Sequence, residues 1–342
     1  MKVSIGYNLV NGPWGGGNTF VKSLSIFLEK LGHEVIYSLD DSDIDLILII
    51  DPRSRISNIP FSAAKILRYL SFKNPNALVI HRINECDERK NTQSINFRLR
   101  LCNYAADHTV FVGSWLKDLN LTSTSSHEAS NVILNGSDTN IFNNKNKTLW
   151  NGRSPLKLVT HHWSGNWMKG FDIYQKIDTM LSSDEWKNRI EFTYIGNIPK
   201  KFTFKNSNLL APLTSQDLAV ELKSHHVYIT ASINEPGGNH QNEGALSGLP
   251  LLYRNSGCLP EYCEGFGKMF NDVHDFETSL HSLFDEYYQL YEDVKDYPHN
   301  MEKSLGLYTK LLEQLYEDRK EIASKRSLWR KPYVYILNQI II

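Results

Sequence analysis

The 342-residue chain has no run of about 18 or more apolar residues, so nothing in it reads as a transmembrane helix. Its opening stretch, Met1-Lys-Val-Ser-Ile-Gly-Tyr-Asn-Leu-Val10, is broken by polar residues and is too short for the apolar core of a secretory signal. Cysteine is scarce. The four present, Cys86, Cys102, Cys258 and Cys263, are too few and too scattered for a disulfide framework or a four-ligand zinc site. A reducing cytoplasm is the simplest compartment. Charge of one sign is missing as well: 37 Lys and Arg stand against 38 Asp and Glu, a net −1. A dedicated nucleic-acid binder carries a basic excess, which this chain lacks.

What the chain does have is the makings of two cores. Hydrophobic residues are 41% and charged residues 22%, ordinary for a globular protein of about two domains. Short apolar runs alternate with amphipathic stretches, the pattern of βαβ units around a parallel sheet. Strands are predicted at 2–7, 34–38, 46–50, 78–81, 108–112 and 132–134. A helix is predicted at 19–31, with Phe20, Leu24, Phe27, Leu28 and Leu31 on one face and Gly32 as its stop. An Asn-rich stretch, 138–154, has no apolar period and reads as a linker. The alternation then restarts, with strands at 156–161, 190–195, 227–231 and 250–253 and helices at 170–181, 215–222 and 239–247. The expected fold class is α/β, with two Rossmann-like domains at 1–150 and 151–324.

From 273 to 324 the pattern is helical. The segment 325–342 then turns basic and aromatic, with Lys325, Arg326, Trp329, Arg330, Lys331, Tyr333 and Tyr335. Such a tail suits contact with anionic lipid. The simpler reading, a terminal helix packing back on the N-terminal domain, is favoured.

Two loops stand where a parallel sheet presents ligands, at the carboxyl ends of strands. The first, Asn11-Gly-Pro-Trp-Gly-Gly-Gly-Asn-Thr19, leads from the first strand into the first helix. Its glycines, Gly16 and Gly17 among them, let backbone approach a phosphate or sugar. Phe20 breaks the dinucleotide spacing and Asn18 replaces the P-loop lysine. A tight turn without a ligand is the plain alternative. The second loop, Glu235-Pro-Gly-Gly-Asn-His-Gln-Asn-Glu243, is the stronger signal. An ionised Glu243 has paired acceptor sites for a ribose diol, and Glu235 could take sugar hydroxyls. Gly237, Gly238 and Asn239 put backbone near phosphate oxygens. Alone, Glu243 also reads as a favourable carboxylate in a first helical turn.

Taken together, Glu235, Pro236, Gly238 and Glu243, then Gly248 and Pro250, then Gly257 and Glu261, resemble glycosyltransferase family 4, whose signature is E-P-x-G…E, G-x-P and G-x-x-E. Lys169-Gly-Phe-Asp172 is similar to the family's K-G-x-D helix start, and Val132-Ile-Leu-Asn-Gly-Ser-Asp to its interdomain segment. The resemblance implies a GT-B architecture, two Rossmann-like domains facing each other across a cleft. It implies a retaining transferase that moves sugar from a nucleotide-sugar donor to a hydroxyl of a glycan or glycolipid, in surface polysaccharide or lipopolysaccharide synthesis.

The residue roles follow the resemblance. Glu243 would hold the ribose, Glu235 the transferred sugar and Lys169 the phosphates. His81, ending a first-domain strand, would serve as a hydrogen-bonding group or proton shuttle, with a structural histidine equally open. Asn84, Glu85 and Asp87 are candidate acceptor contacts. The family's usual phosphate-clamping arginine is replaced by Ser164, leaving His161, His162, Ser164 itself, Asn166 or Arg254 as donor-binding substitutes. No metal and no cofactor are expected beyond the donor itself, a UDP- or GDP-sugar. The protein is expected in the cytoplasm, with peripheral contact at the inner face of the membrane through its tail. A sugar-nucleotide epimerase and a non-catalytic sugar-nucleotide-binding relative share the architecture and remain alternatives.

Overall fold

A computed structural model describes residues 1–10, 16–51, 56–123 and 129–342. The chain forms two compact units, Met1–Leu134 with Lys303–Ile342, and Asn135–Glu302. Leu46-Ile-Leu-Ile49 shows why the first unit is layered: all four side chains are buried, as a strand covered on both faces requires. That run is β3 of a six-stranded parallel sheet ordered β2-β1-β3-β4-β5-β6. Its strands are β1 (Lys2–Ile5), β2 (Glu34–Ile36), β3 (Leu46–Ile49), β4 (Leu78–Ile83), β5 (His108–Phe111) and β6 (Ser130–Val132). Helices α1 (Gly16–Lys30), α2 (Ala63–Phe72) and α3 (Ile95–Asn103) alternate with them. Of the glycine-rich loop, residues 11–15 lie outside the described residues. Gly16 and Gly17 open α1, and Asn18 exchanges two hydrogen bonds with the backbone of Val10, at 2.9 and 3.0 Å. The residue standing where a P-loop lysine would be therefore closes the loop.

The second unit repeats the plan with a different winding. Strands β7 (Leu156–His162), β8 (Ile190–Gly196), β9 (Asn208–Leu210), β10 (Val227–Thr230), β11 (Leu251–Arg254) and β12 (Gly267–Phe270) lie in the order β12-β11-β10-β7-β8-β9, all parallel. Helices α4 (Phe171–Met180), α5 (Ser215–Lys223), α6 (His240–Leu246), α7 (Leu259–Cys263) and α8 (Phe276–Asp293) accompany them. The chain starts at β7, winds outward through β8 and β9, and returns to the other side at β10. The winding therefore reverses between β7 and β10, which is where such sheets bind ligands. An aromatic core of Phe171, Tyr174, Trp186, Phe192, Tyr194 and Phe270 underlies the sheet. The Asn-rich stretch is held to this unit by Trp150, whose indole packs on Phe284 and Tyr287 of α8 with ring centres 5.5 and 5.3 Å apart.

Three helices complete the chain: α9 (Met301–Glu317), α10 (Arg319–Lys325) and α11 (Pro332–Ile341). The region 303–324, assigned from sequence to the second domain, belongs to the first unit. The reason is a buried face on α9, where Tyr308 packs on Phe20 with ring centres 4.9 Å apart and accepts from Arg82 Nε at 3.1 Å. Beyond α10, Arg326 reaches both oxygens of Asp107, at 2.8 and 2.5 Å, and the carbonyls of Pro75 and Ala77. Asn338 donates to the Leu101 carbonyl at 2.9 Å, so α11 is tied down along its inner face. Among the described residues no helix is long and apolar enough to cross a membrane.

Candidate functional site

The motifs of the second unit converge at the reversal between β7 and β10. Strand β10 ends at Thr230, and the loop after it carries Glu235, only 3% exposed. Lys169 closes a short 3-10 turn, Trp167–Lys169, ahead of α4, and its Nζ lies 2.6 Å from Glu235 Oε2. Two glycines make that approach possible. Gly170 has φ +100°, and a Cβ there would sit 2.4 Å from Ala231 Cβ and 2.5 Å from its carbonyl oxygen. Gly257 has φ +58°, and its Cβ would sit 2.4 Å from the Glu235 carbonyl oxygen. The Ile233 N–H donates to the Met168 carbonyl and the Cys258 N–H to the Glu235 carbonyl, both at 2.8 Å. The lysine turn and the G-x-x-E loop thus grip the glutamate's backbone from two sides.

Glu243 lies one turn into α6. Its Oε2 is 2.6 Å from Nε2 of His161, on β7. Asn135 donates to the Gly237 carbonyl at 2.7 Å and Gln241 to the Gly238 carbonyl at 2.6 Å, which fixes the glycine pair. Asn239 is half-buried beside them, ahead of α6, and its Oδ1 has no hydrogen-bond partner among the described residues. The chemistry available is therefore a cation beside a buried carboxylate, with a second carboxylate on the neighbouring helix.

Of the residues considered as substitutes for the missing arginine, His162, Asn166 and Arg254 already have protein partners. Ser164 is exposed and its hydroxyl accepts from the Asn166 N–H at 3.3 Å. Asn166 caps the lysine turn through Met168 N–H at 2.9 Å. His162 is buried against the Tyr174 hydroxyl at 2.8 Å. Arg254 forms a short ion pair with Asp172, the acid of the K-G-x-D motif. That partnership and the His161–Glu243 contact were missed in the sequence.

In the first unit His81 ends up fully buried on β4. Asn103 Nδ2 donates to its Nδ1 at 3.3 Å, so the ring proton sits on Nε2. Burial pushes the imidazole down to about 3, and the nearby Asp51 charge offsets this only in part. At neutral pH it is a neutral hydrogen-bonding ring, far from the value a proton shuttle needs. Asn84 follows β4, half-buried. Glu85 is engaged by Lys90 at 2.6 Å and Arg89 at 3.2 Å. Asp87 accepts from Thr92 Oγ1 and from the backbone N–H groups of Ser94, Ile95 and Asn96, which begin α3. Burial pulls that carboxyl upward, but these hydrogen bonds outweigh it and hold it below its usual range. Asp87 is in effect the cap of α3. At the start of α1 a Cβ on Gly17 would meet no described atom within 4 Å, so the space beside that glycine is open.

No family model matches the chain, and no curated protein sequence does either. Solved structures do. HepE of Anabaena, in complex with UDP-glucose, matches at 10% identity over 92% of this chain and 100% of its own, with a TM-score of 0.66. The fold is the GT-B fold. The catalytic domain of starch synthase IV from Arabidopsis thaliana, bound to ADP and acarbose, matches at 13% identity, covering 92% and 99% of the two chains, TM-score 0.67. Sucrose-phosphate synthase from Thermosynechococcus elongatus gives 13%, 92%, 99% and 0.64. The chain thus shares its fold with proteins only 10–13% identical to it in sequence.

Proposed function

We propose that the chain is a retaining glycosyltransferase of the family 4 type, acting on a UDP- or GDP-sugar without a metal. The observation that carries the reading is the Lys169–Glu235 pair, 2.6 Å apart where the winding of the second sheet reverses. That HepE was solved with UDP-glucose and starch synthase IV with ADP supports a nucleotide-sugar donor. Glu243 would accept the ribose hydroxyls, and Lys169 would neutralise the phosphate as it leaves. In the step itself the bond from the anomeric carbon to the phosphate oxygen breaks, and its electron pair stays with the phosphate. The acceptor hydroxyl oxygen bonds to the same face of that carbon, and its proton passes to the departing phosphate oxygen. Glu235 would hold sugar hydroxyls as positive charge grows on the ring. In the first unit Asn84 is the acceptor contact left open by its surroundings, and His81 a neutral positioning ring.

Binding tests this reading directly. In a calorimetric and thermal-shift screen of UDP, GDP, ADP, dTDP and CMP, one diphosphate should raise the melting temperature. At a hundredfold excess over Kd the expected gain is about 2.7 kcal/mol. Glu243→Ala should lose that gain. Binding of CMP alone would mean a monophosphate donor. Isomerised donor without an acceptor would mean an epimerase, and silence from every nucleotide would sink the reading.

The acceptor we propose is a glycolipid or membrane-borne glycan of a surface polysaccharide or lipopolysaccharide, reached by peripheral contact at the cytoplasmic face. Helix α11 supports this, being apolar on two sides. Tyr335 and Asn338 face the core, while Tyr333, Ile336 and Ile340 form an outward stripe continued by Trp329, each more than half exposed. Arg68 donates to Gln339 at 2.6 Å, which joins the stripe to α2, where Lys65 and Phe72 are also exposed. No acid follows Glu321, while Lys325, Arg330 and Lys331 do, Arg326 being paired with Asp107. An apolar aromatic stripe with basic neighbours suits an anionic bilayer surface. Flotation should carry the protein with phosphatidylglycerol vesicles but not with phosphatidylcholine alone. Ile336→Ser with Ile340→Ser should stay at the bottom at an unchanged melting temperature. Equal flotation of both proteins would reject the surface.

A further inference from the structure

We infer that His161 is a positioning residue for the nucleotide's ribose, setting the orientation of Glu243 so that the site distinguishes ribonucleotides from their deoxy forms. This rests on the reading of Glu243 as the ribose acceptor, and it concerns the layer beneath that residue. The argument begins with Tyr228, which is fully buried on β10. Its hydroxyl oxygen accepts the His161 backbone N–H at 3.3 Å and lies 3.0 Å from His161 Nδ1; with a carboxylate facing Nε2, a neutral imidazole accepts the phenol's proton at Nδ1. An imidazole that accepts at Nδ1 carries its proton on Nε2. That proton then points at Glu243 Oε2, 2.6 Å away. The result is one directed chain, from phenol to imidazole to carboxylate.

Both ends of this chain are fixed. A Cβ on Gly244 would lie 2.3 Å from the Tyr228 ring, so α6 presses directly onto the tyrosine, one residue after Glu243. The His161 side chain is 12% exposed and that of Glu243 is 20% exposed, which leaves the carboxylate reachable from outside while its partner is covered. No hydrogen bond from the described residues engages Oε1. His161 takes one acceptor site of Oε2, and the remaining sites on both oxygens are left for hydroxyls. A vicinal diol needs both carboxylate oxygens in one plane at a set angle, and a free glutamate has rotamer freedom to lose before it can offer that. A second-layer hydrogen bond removes that freedom in advance, as it does for metal-bound ligands.

The test is a comparison of ligands across variants, by calorimetry with UDP, GDP and ADP and their 2′-deoxy counterparts. Wild type should prefer the ribo form about tenfold or more, the scale of a hydrogen bond to a charged group. His161→Ala should bind the ribo form about as weakly as the deoxy form, its preference falling to about twofold or less. His161→Gln, whose amide can donate to the same oxygen, should recover part of the preference, and Tyr228→Phe should fall between the two. A loss of folding alone would weaken both ligands equally and leave their ratio intact. A His161→Ala protein that keeps the wild-type ratio overturns the inference while sparing the role of Glu243. A wild type that does not discriminate, or binds no nucleotide, overturns that role and the inference with it.

Discussion

Glu235→Gln is expected to lose some stability but keep nucleotide binding, while losing transfer by about three orders of magnitude, the scale seen when a donor or acceptor aimed at developing charge is removed. The amide matches the carboxylate in shape but not in charge, and it leaves the Lys169 ammonium, 11% exposed, without its closest anion. The reciprocal variant should behave differently. Lys169→Met leaves a carboxylate that is 3% exposed short of its cation. Breaking a buried pair from one side costs about 3–5 kcal/mol. Lys169→Met should therefore lose both stability and activity. The double variant, Lys169→Met with Glu235→Gln, separates the two effects. It removes both charges, so thermal unfolding should return most of the way to wild type while transfer stays absent. If the double variant is as unstable as Lys169→Met alone, the pair is not what holds this loop. If Glu235→Gln retains activity within about tenfold, Glu235 does not meet the reacting sugar.

The glutamates and the lysine were readable because each lies in a short motif at the end of a strand. What they touch was not readable. His161 and Glu243 are 82 positions apart, as are Asp172 and Arg254. They meet only because β7 lies beside β10, and β10 beside β11. That neighbour relation is a property of the winding, which no local spacing encodes. The same limit explains the strands. Those buried on both faces, such as β3 and β10, announce themselves as unbroken apolar runs. The outermost strands β9 and β12 do not: Asn208-Leu-Leu210 is largely exposed, and Gly267-Lys-Met-Phe270 buries only its phenylalanine. Edge strands with little buried surface carry little pattern. The family resemblance makes Asp87 a candidate acceptor contact, as part of the polar cluster after β4. Its engagement with the start of α3 depends on how the loop folds back, and the helix itself shows no acidic residue in its first turn.

Gly257→Ala should cost about a hundredfold in transfer even though position 257 need not touch the substrate. The closest neighbours of this motif glycine are protein. A Cβ would stand 2.4 Å from the Glu235 carbonyl oxygen and 2.5 Å from its amide nitrogen, both backbone atoms with no rotamer to escape into. Relief requires the Glu235 backbone to move by about 1 Å, and a displacement of that size at a reacting group costs about 10²-fold. The residue also has φ +58°, where a side chain adds about 1–2 kcal/mol of strain. Strain alone must be separated from displacement, and Gly265 offers the means. It has φ +87° in the same unit, but a Cβ there meets nothing within 4 Å. Gly265→Ala should therefore share the stability loss and keep its activity. The decisive quantity is the difference between the two alanine variants in kcat at matched folded fraction. An equal fall in both would assign the effect to stability, whereas a fall confined to position 257 would locate it in the placement of Glu235.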